Sequence, residues 1–136
     1  MTAPVGDPTD EVSDGGLSAA NARFYQALES ADLGLMRTVW AHSEEASCAH
    51  PGRPPLIGWD TIEASWQAIF GAGGNPQVII TEERVIRRGT VGWVTVAENM
   101  ISEGHTGAAV AVNVFEHDGR CWRMLAHHAA PVLGLS

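Results

Sequence analysis

Four side chains in this sequence are of types that could move or hold a proton on a small molecule: His50, Glu98, Asn113 and His128. A histidine takes up or gives away a proton near neutral pH because its unperturbed pKa is about 6.5. A glutamate does so once burial raises its pKa toward the working range. Glu98 lies in "VTVAENM", where it shares a face with Val94, Val96 and Met100, an unusually apolar set for a carboxylate. A one-residue change of register instead turns Trp93, Thr95, Ala97, Asn99 and Ile101 inward and puts Glu98 outside, beside an arginine. Asn113, in "VAVNVF", is either a neutral donor for a substrate oxygen or a buried hydrogen-bond bracket between strands.

His127 and His128 are adjacent, so on a strand they point to opposite faces. Trp122, Met124, Ala126 and His128 form one set, and Arg123, Leu125, His127 and Ala129 the other. Arg123 is the residue least suited to an apolar cavity, so the first set is assigned inward. That makes His128 the pocket candidate and leaves His127 at the surface or an interface. The competing use of His128 is as a core histidine satisfied by a neighbour.

His50 sits in "CAHPGRPPLIGWD", whose prolines stiffen the link to the next helix. It either lines a pocket wall or pins the Pro-Gly loop through a backbone carbonyl. Trp40, Trp59 and Trp66 lie on or beside helices that would roof a pocket, where they suit a flat or cyclic ligand; core packing is their other use. A metal site needs three or four converging ligands. Cys48 and His50 with Cys121 or His128 is the one conceivable set, and no metal is assigned. Nothing reads as a phosphate loop or dinucleotide fingerprint, so no cofactor is expected.

The elements that must position these groups are legible in outline. Residues 1–16 are acidic and polar and read as a disordered tail, with 17–136 a single domain. Ala20, Phe24, Ala27, Leu28 and Ala31 repeat at helical spacing to about Ser30. Asp32 can cap a second, shorter helix carrying Leu33, Met36, Val39 and Trp40. "ASCAH" reads as a short strand. Asp60 and Glu63 form a capping-box variant opening a third helix, with Ile62, Trp66, Ile69 and Phe70 on one stripe. "GAGGNP" ends that helix, and four strand-like stretches separated by "GT", "GHTG" and "DG" follow. The pattern is α+β: three helices against a curved, mainly antiparallel sheet.

Composition excludes several classes. The chain has 136 residues, a formal net charge of −8 and no lysine, so no basic stripe is available for nucleic acid. No apolar run approaches the roughly 18 residues of a membrane span, and the N-terminal stretch lacks the layout of a secretion signal. A cytoplasmic protein with two free thiols, Cys48 and Cys121, is expected.

The motif running through His50, Pro51, Gly52, Leu56, Gly58, Trp59, Ser65, Trp66, Ile69 and Phe70 continues in Asn113, Phe115, Trp122, Arg123, Met124, His127, His128, Ala129 and Pro131. In this it resembles the SnoaL-like branch of the nuclear-transport-factor-2-like superfamily, over roughly residues 18–133. The resemblance implies a cone-shaped α+β barrel, an internal pocket and a homodimer formed through the outer sheet face. It places His50 where isomerase-like relatives keep a catalytic carboxylate, and Tyr25 on the helix where they keep an oxyanion-stabilising tyrosine. Two departures weigh against the family's cyclase and isomerase chemistries: no aspartate lies in the last two strands before the hairpin turn, where the cyclases keep their acid–base carboxylate, and Ala130 stands where relatives often have Ser. Two functions follow as expectations. One is a pocket that binds a small, mostly apolar ligand through Trp40, His50, Trp59, Trp66, Asn113, Met124 and His128. The other is a cofactor-independent isomerase, cyclase, dehydratase or hydrolase using His128 and Glu98, with His50 or Asn113 holding an oxygen. This second form requires both Glu98 and His128 to face inward.

Overall fold

The computed structural model describes residues 14–74, 77–102 and 104–133. Most of the expected acidic tail, residues 1–13, lies outside them, and the first helix is described from Asp14. Three helices, α1 (Asp14–Ser30), α2 (Leu33–Val39) and α3 (Trp59–Gly71), accompany six strands. These are β1 (Ser47–Ala49), β2 (Leu56–Ile57), β3 (Gln77–Arg88), β4 (Val91–Ser102), β5 (His105–His117) and β6 (Trp122–Pro131). They form one sheet in the order β2-β1-β6-β5-β4-β3, antiparallel except where β1 runs parallel to β6. The strongly curved sheet and the helices in its concavity make a cone-shaped α+β barrel.

Local chemistry accounts for the helix boundaries. Leu17, Ala20, Phe24 and Ala27 put one buried face of α1 against the sheet. Ala31 takes a left-handed φ of 52°, and the Asp32 amide donates to Ala27 O at 3.1 Å, closing α1. The Asp32 carboxylate then accepts from the Leu35 amide at 3.0 Å and caps α2. The capping box expected at Asp60 and Glu63 does not form. The N-cap of α3 is Gly58, with φ 91°, and no side chain caps it. The Gly58 and Trp59 amides donate instead to Ala46 O and Ser43 O, which anchors the helix start to the preceding loop. Asp60 is an exposed first-turn acid, and Glu63 pairs with Arg37. The short β2, not anticipated, arises because Leu56 and Ile57 reach back to pair with Cys48 and Ser47.

The core lies between the helices and the inner sheet face, around Phe24, Met36, Ile62, Trp66, Val94, Phe115, Trp122 and Met124. Each such side chain contributes about 1.5–3 kcal/mol by leaving water. Gly92 is needed on β4 because a Cβ there would collide with the Leu17 side chain. Two β-bulges interrupt the alternation. On β3 the register shifts between Thr81 and Arg84, with Glu82 at φ 56°. On β6, Val114 pairs with Ala126 but Phe115 with Met124, leaving Leu125 as the extra residue.

Candidate functional site

The bulge at Leu125 decides which histidine enters the interior. Trp122 and Met124 are buried, as alternation from Arg123 requires. Beyond Leu125 the phase reverses, so His127 and Ala129 are buried and His128 is exposed. The inward assignment of His128 is therefore corrected: its Nε2 lies 2.9 Å from Ser47 Oγ on the outer side. The acid–base arrangement that needs His128 inside fails with it.

Glu98 stands on the inward face of β4 with Gly92, Val94 and Val96, only 1% exposed. The Tyr25 hydroxyl donates to Glu98 Oε2 at 2.6 Å. The Asn113 amide nitrogen donates to Tyr25 Oη at 3.0 Å and to Asn21 Oδ1 at 2.8 Å. Both amide hydrogens being used, Asn113 Oδ1 faces His127 Nδ1 at 2.6 Å as an acceptor. His127 is thereby held with its proton on Nδ1 and a lone pair on Nε2. Asn21 continues the chain to Glu83 at 3.4 Å, where Ser18 also donates at 3.0 Å. Residues from α1, β3, β4, β5 and β6 thus share one polar seam through an apolar interior.

Burial sets the charge states. Desolvation, opposed by the Tyr25 hydrogen bond, raises the Glu98 carboxyl above the usual range. Desolvation and the neighbouring Glu98 charge push the Tyr25 phenol upward, so it stays a donor. Desolvation, with His50 and His128 nearby, lowers His127 to about 3, so the ring is neutral. Burial and Arg53 likewise lower His50.

A cavity of about 200 Å³ opens onto this seam. Glu98 and Met100 of β4, His127 of β6, Trp66 and Phe70 of α3, and His50 are among its walls. Ile69, also at the cavity, is 40% exposed even though it continues the apolar stripe of Ile62 and Trp66, because it borders the opening instead of the core. His50 is fixed from one side: Ser65 donates its hydroxyl proton to Ile62 O at 2.7 Å and so accepts from His50 Nε2 at 3.1 Å. That holds the His50 ring edge-on to Trp66, centroids 4.7 Å apart. The loop-pinning use of His50 is replaced by this tie to α3. Cys48 lies buried behind it, its thiol pushed up to about 12 by desolvation and Glu98.

The structure brings Glu98, His50 and Trp66 to the cavity and puts Asn113 directly behind His127 and Tyr25. Trp40, Trp59 and Met124, expected as ligand contacts, do not line it. Trp40 packs on Trp59 with centroids 6.0 Å apart, and Trp59 stacks on His42 at 4.6 Å. Met124 is fully buried beside Trp40. Sequence reasoning missed Asn21, set His127 at the surface or an interface, and reached Tyr25 only through the family resemblance; all three are buried. The available signal was the Asn21/Tyr25 pair, two polar residues four apart that share one side of α1. Among the described residues, no cluster of three His, Cys, Asp or Glu side chains is arranged to hold a metal ion.

Comparison with known proteins agrees with this architecture. A chain from Thiobacillus denitrificans, provisionally named a calcium/calmodulin-dependent protein kinase type II association domain, superposes with a TM-score of 0.79 at 33% identity, over 85% of this chain and 94% of that one. A Streptomyces avermitilis protein, provisionally named a dehydratase from the NTF2-like family, gives 0.83 at 31% identity, over 93% and 98%. The Arabidopsis thaliana F-box protein SKIP8 is 29% identical over 118 residues, 85% of this chain. The chain spans about half (49%) of the length of that curated relative. The fold supports a ligand-binding or small-molecule-converting domain. The family model described as the SnoaL-like domain matches residues 17–133, and with the barrel and these relatives it shows that the chain belongs to the SnoaL-like branch of the NTF2-like superfamily.

Proposed function

We propose that this chain binds a small, mostly apolar molecule in the cavity bordered by α3, with Glu98 holding the ligand's polar end. One observation carries the reading. Glu98 is buried in an apolar wall, one oxygen accepts from Tyr25, and the other has no hydrogen-bond partner among the described residues. A half-satisfied buried carboxyl costs stability unless something completes it. The cavity is smaller than the roughly 300–1,000 Å³ of pockets for drug-sized ligands, so the ligand is a fragment of about one ring. The test is a thermal-shift screen of single-ring fragments against the native chain and Ile69→Trp, which plugs the opening. Fragments that stabilise the first and not the second support the reading; a screen with no such fragment defeats it.

The second reading is proton transfer on the bound molecule. It is favoured by Glu98 and the Nε2 lone pair of His127 facing the same enclosed space, with Tyr25 and Asn113 fixing both. In this reading His127 takes the place first given to His128. A homodimer through the outer sheet face belongs to the same proposal. Ile79, Ile101, Val110 and Val112 leave that face apolar and exposed, which a second copy would cover. Sedimentation of the native chain and Val112→Glu decides it: a native dimer that the substitution splits is expected, and a native monomer at tens of micromolar overturns it.

A further inference from the structure

The hydrogen-bond polarity of the cavity restricts what can fill it. His127 Nδ1 is committed as a donor to Asn113 Oδ1, because both hydrogens of the Asn113 amide are already given to Asn21 and Tyr25. Its Nε2 is therefore an acceptor. His50 Nε2 lies 3.1 Å from Ser65 Oγ and 3.9 Å from Cys48 Sγ; the Ser65 proton being spent on Ile62 O, the shorter contact makes Nε2 the donor and leaves Nδ1 an acceptor. Glu98 has one oxygen free beyond the Tyr25 bond.

Among the described residues, the sealed and unpartnered side-chain atoms are Trp40 Nε1, Trp66 Nε1, Trp122 Nε1 and His117 Nε2. The free Glu98 oxygen and His127 Nε2 are not among them, so neither is closed off from the cavity. Trp66 Nε1, the donor nearest the wall, is closed off. Among the described residues no arginine borders the cavity. With Glu98 ionised, the site thus presents three side-chain acceptors, one of them charged, and among the described residues no open side-chain donor or cation to meet them.

We propose that the ligand is a small amine, of one ring or a short chain, whose protonated nitrogen is held between Glu98, His127 and His50. This rests on the pocket reading above and names the chemical class of its ligand. An ammonium group brings three donors and a positive charge to three acceptors. An alcohol brings one donor, and a carboxylate brings none and meets the charge of Glu98. Trp66 and Phe70, with ring centroids 5.7 Å apart, supply aromatic faces suited to a cation or to an apolar ring. A neutral amine entering while Glu98 is protonated takes that proton and leaves an ammonium–carboxylate pair, with no other reactant needed. Such a buried pair is favourable only if its remaining hydrogen bonds are met, and the two imidazole nitrogens meet them.

The test is calorimetric titration of the full chain with benzylamine, benzyl alcohol and benzoate, repeated on Glu98→Gln. Benzylamine should bind at least about tenfold tighter than benzyl alcohol, as a charge-assisted hydrogen bond requires, and benzoate should bind weakest. Glu98→Gln should erase the amine's advantage over benzyl alcohol, since the charge that favours the ammonium is gone. Benzyl alcohol or benzoate binding as tightly as benzylamine overturns the amine assignment while leaving the pocket reading intact. No binding by any of the three overturns both. If Glu98→Gln does not fold, the ranking on the native chain decides alone.

Discussion

Asn113 and His127 stand directly opposite each other across β5 and β6, joined by a 2.6 Å hydrogen bond from His127 Nδ1 to Asn113 Oδ1. Desolvation keeps this buried imidazole neutral, and that has a pH signature. Above about pH 6.5 the ring is neutral in folded and unfolded chains alike. Below it the unfolded chain takes up a proton that the folded one refuses until about pH 3, so stability falls on acidification. The native chain should lose roughly 3 kcal/mol between pH 6.5 and 4 relative to His127→Gln. Urea denaturation of both at several pH values measures this; parallel curves would show that the ring is not buried neutral.

Tyr25→Phe removes the one hydrogen bond that lowers the Glu98 pKa. Glu98 titrates higher folded than unfolded, so its contribution falls as pH rises above about 4.5, where the unfolded chain ionises first. The substitution should cost about 1–3 kcal/mol at pH 8 and less at pH 5. An equal cost at both would separate Tyr25 from the ionisation of Glu98.

His127→Ala strands Asn113 Oδ1 and leaves a void beside Phe24 and Trp66, whose rings lie 4.6 and 6.3 Å from the imidazole. A loss of about 2–4 kcal/mol is expected. His128→Ala, on the exposed side, should change stability by no more than about 0.5 kcal/mol. The reverse order of these two denaturation midpoints would refute the β6 register.

Gly92→Ala puts a methyl against the end of the Leu17 side chain and 3.1 Å from Ile86 O, so the buried Leu17 must repack at a cost of about 1–3 kcal/mol. The double variant with Leu17→Ala should recover part of that cost. Strict additivity in the cycle would mean that the two positions do not touch.

Helix periodicity and the succession of four strands could be read from the chain, because each rests on local spacing and turn residues. The face of Glu98 was left between two registers of β4, because alternation alone fits both; burial of Gly92, Val94, Val96 and Glu98 decides it. His127 was not legible. Its placement depends on Leu125 losing its partner, which is a property of two strands together and leaves no mark in the alternation of one. The start of α3 was misread similarly: Asp60 has a capping residue's chemistry, but the backbone of Ala46 and Ser43 had already fixed the helix at Gly58. The tryptophans divide by neighbours that sequence does not reveal, Trp66 to the cavity, Trp40 and Trp59 to each other.

The unpaired Leu125 has a consequence for how this chain can be aligned and can evolve. Two adjacent imidazoles serve opposite sides of one sheet, so changes at 127 act on the cavity and changes at 128 on the outer face, each free of the other. Pairing Leu125 into the ladder would exchange those duties without altering either histidine, whereas loss of Leu125 would leave both where they are. A pairwise alignment that scores the His-His dipeptide as a unit would not register the exchange. Carrying site residues between this chain and a relative therefore depends on whether the relative keeps a residue bulged out at 125 or pairs it, more than on which identities are retained.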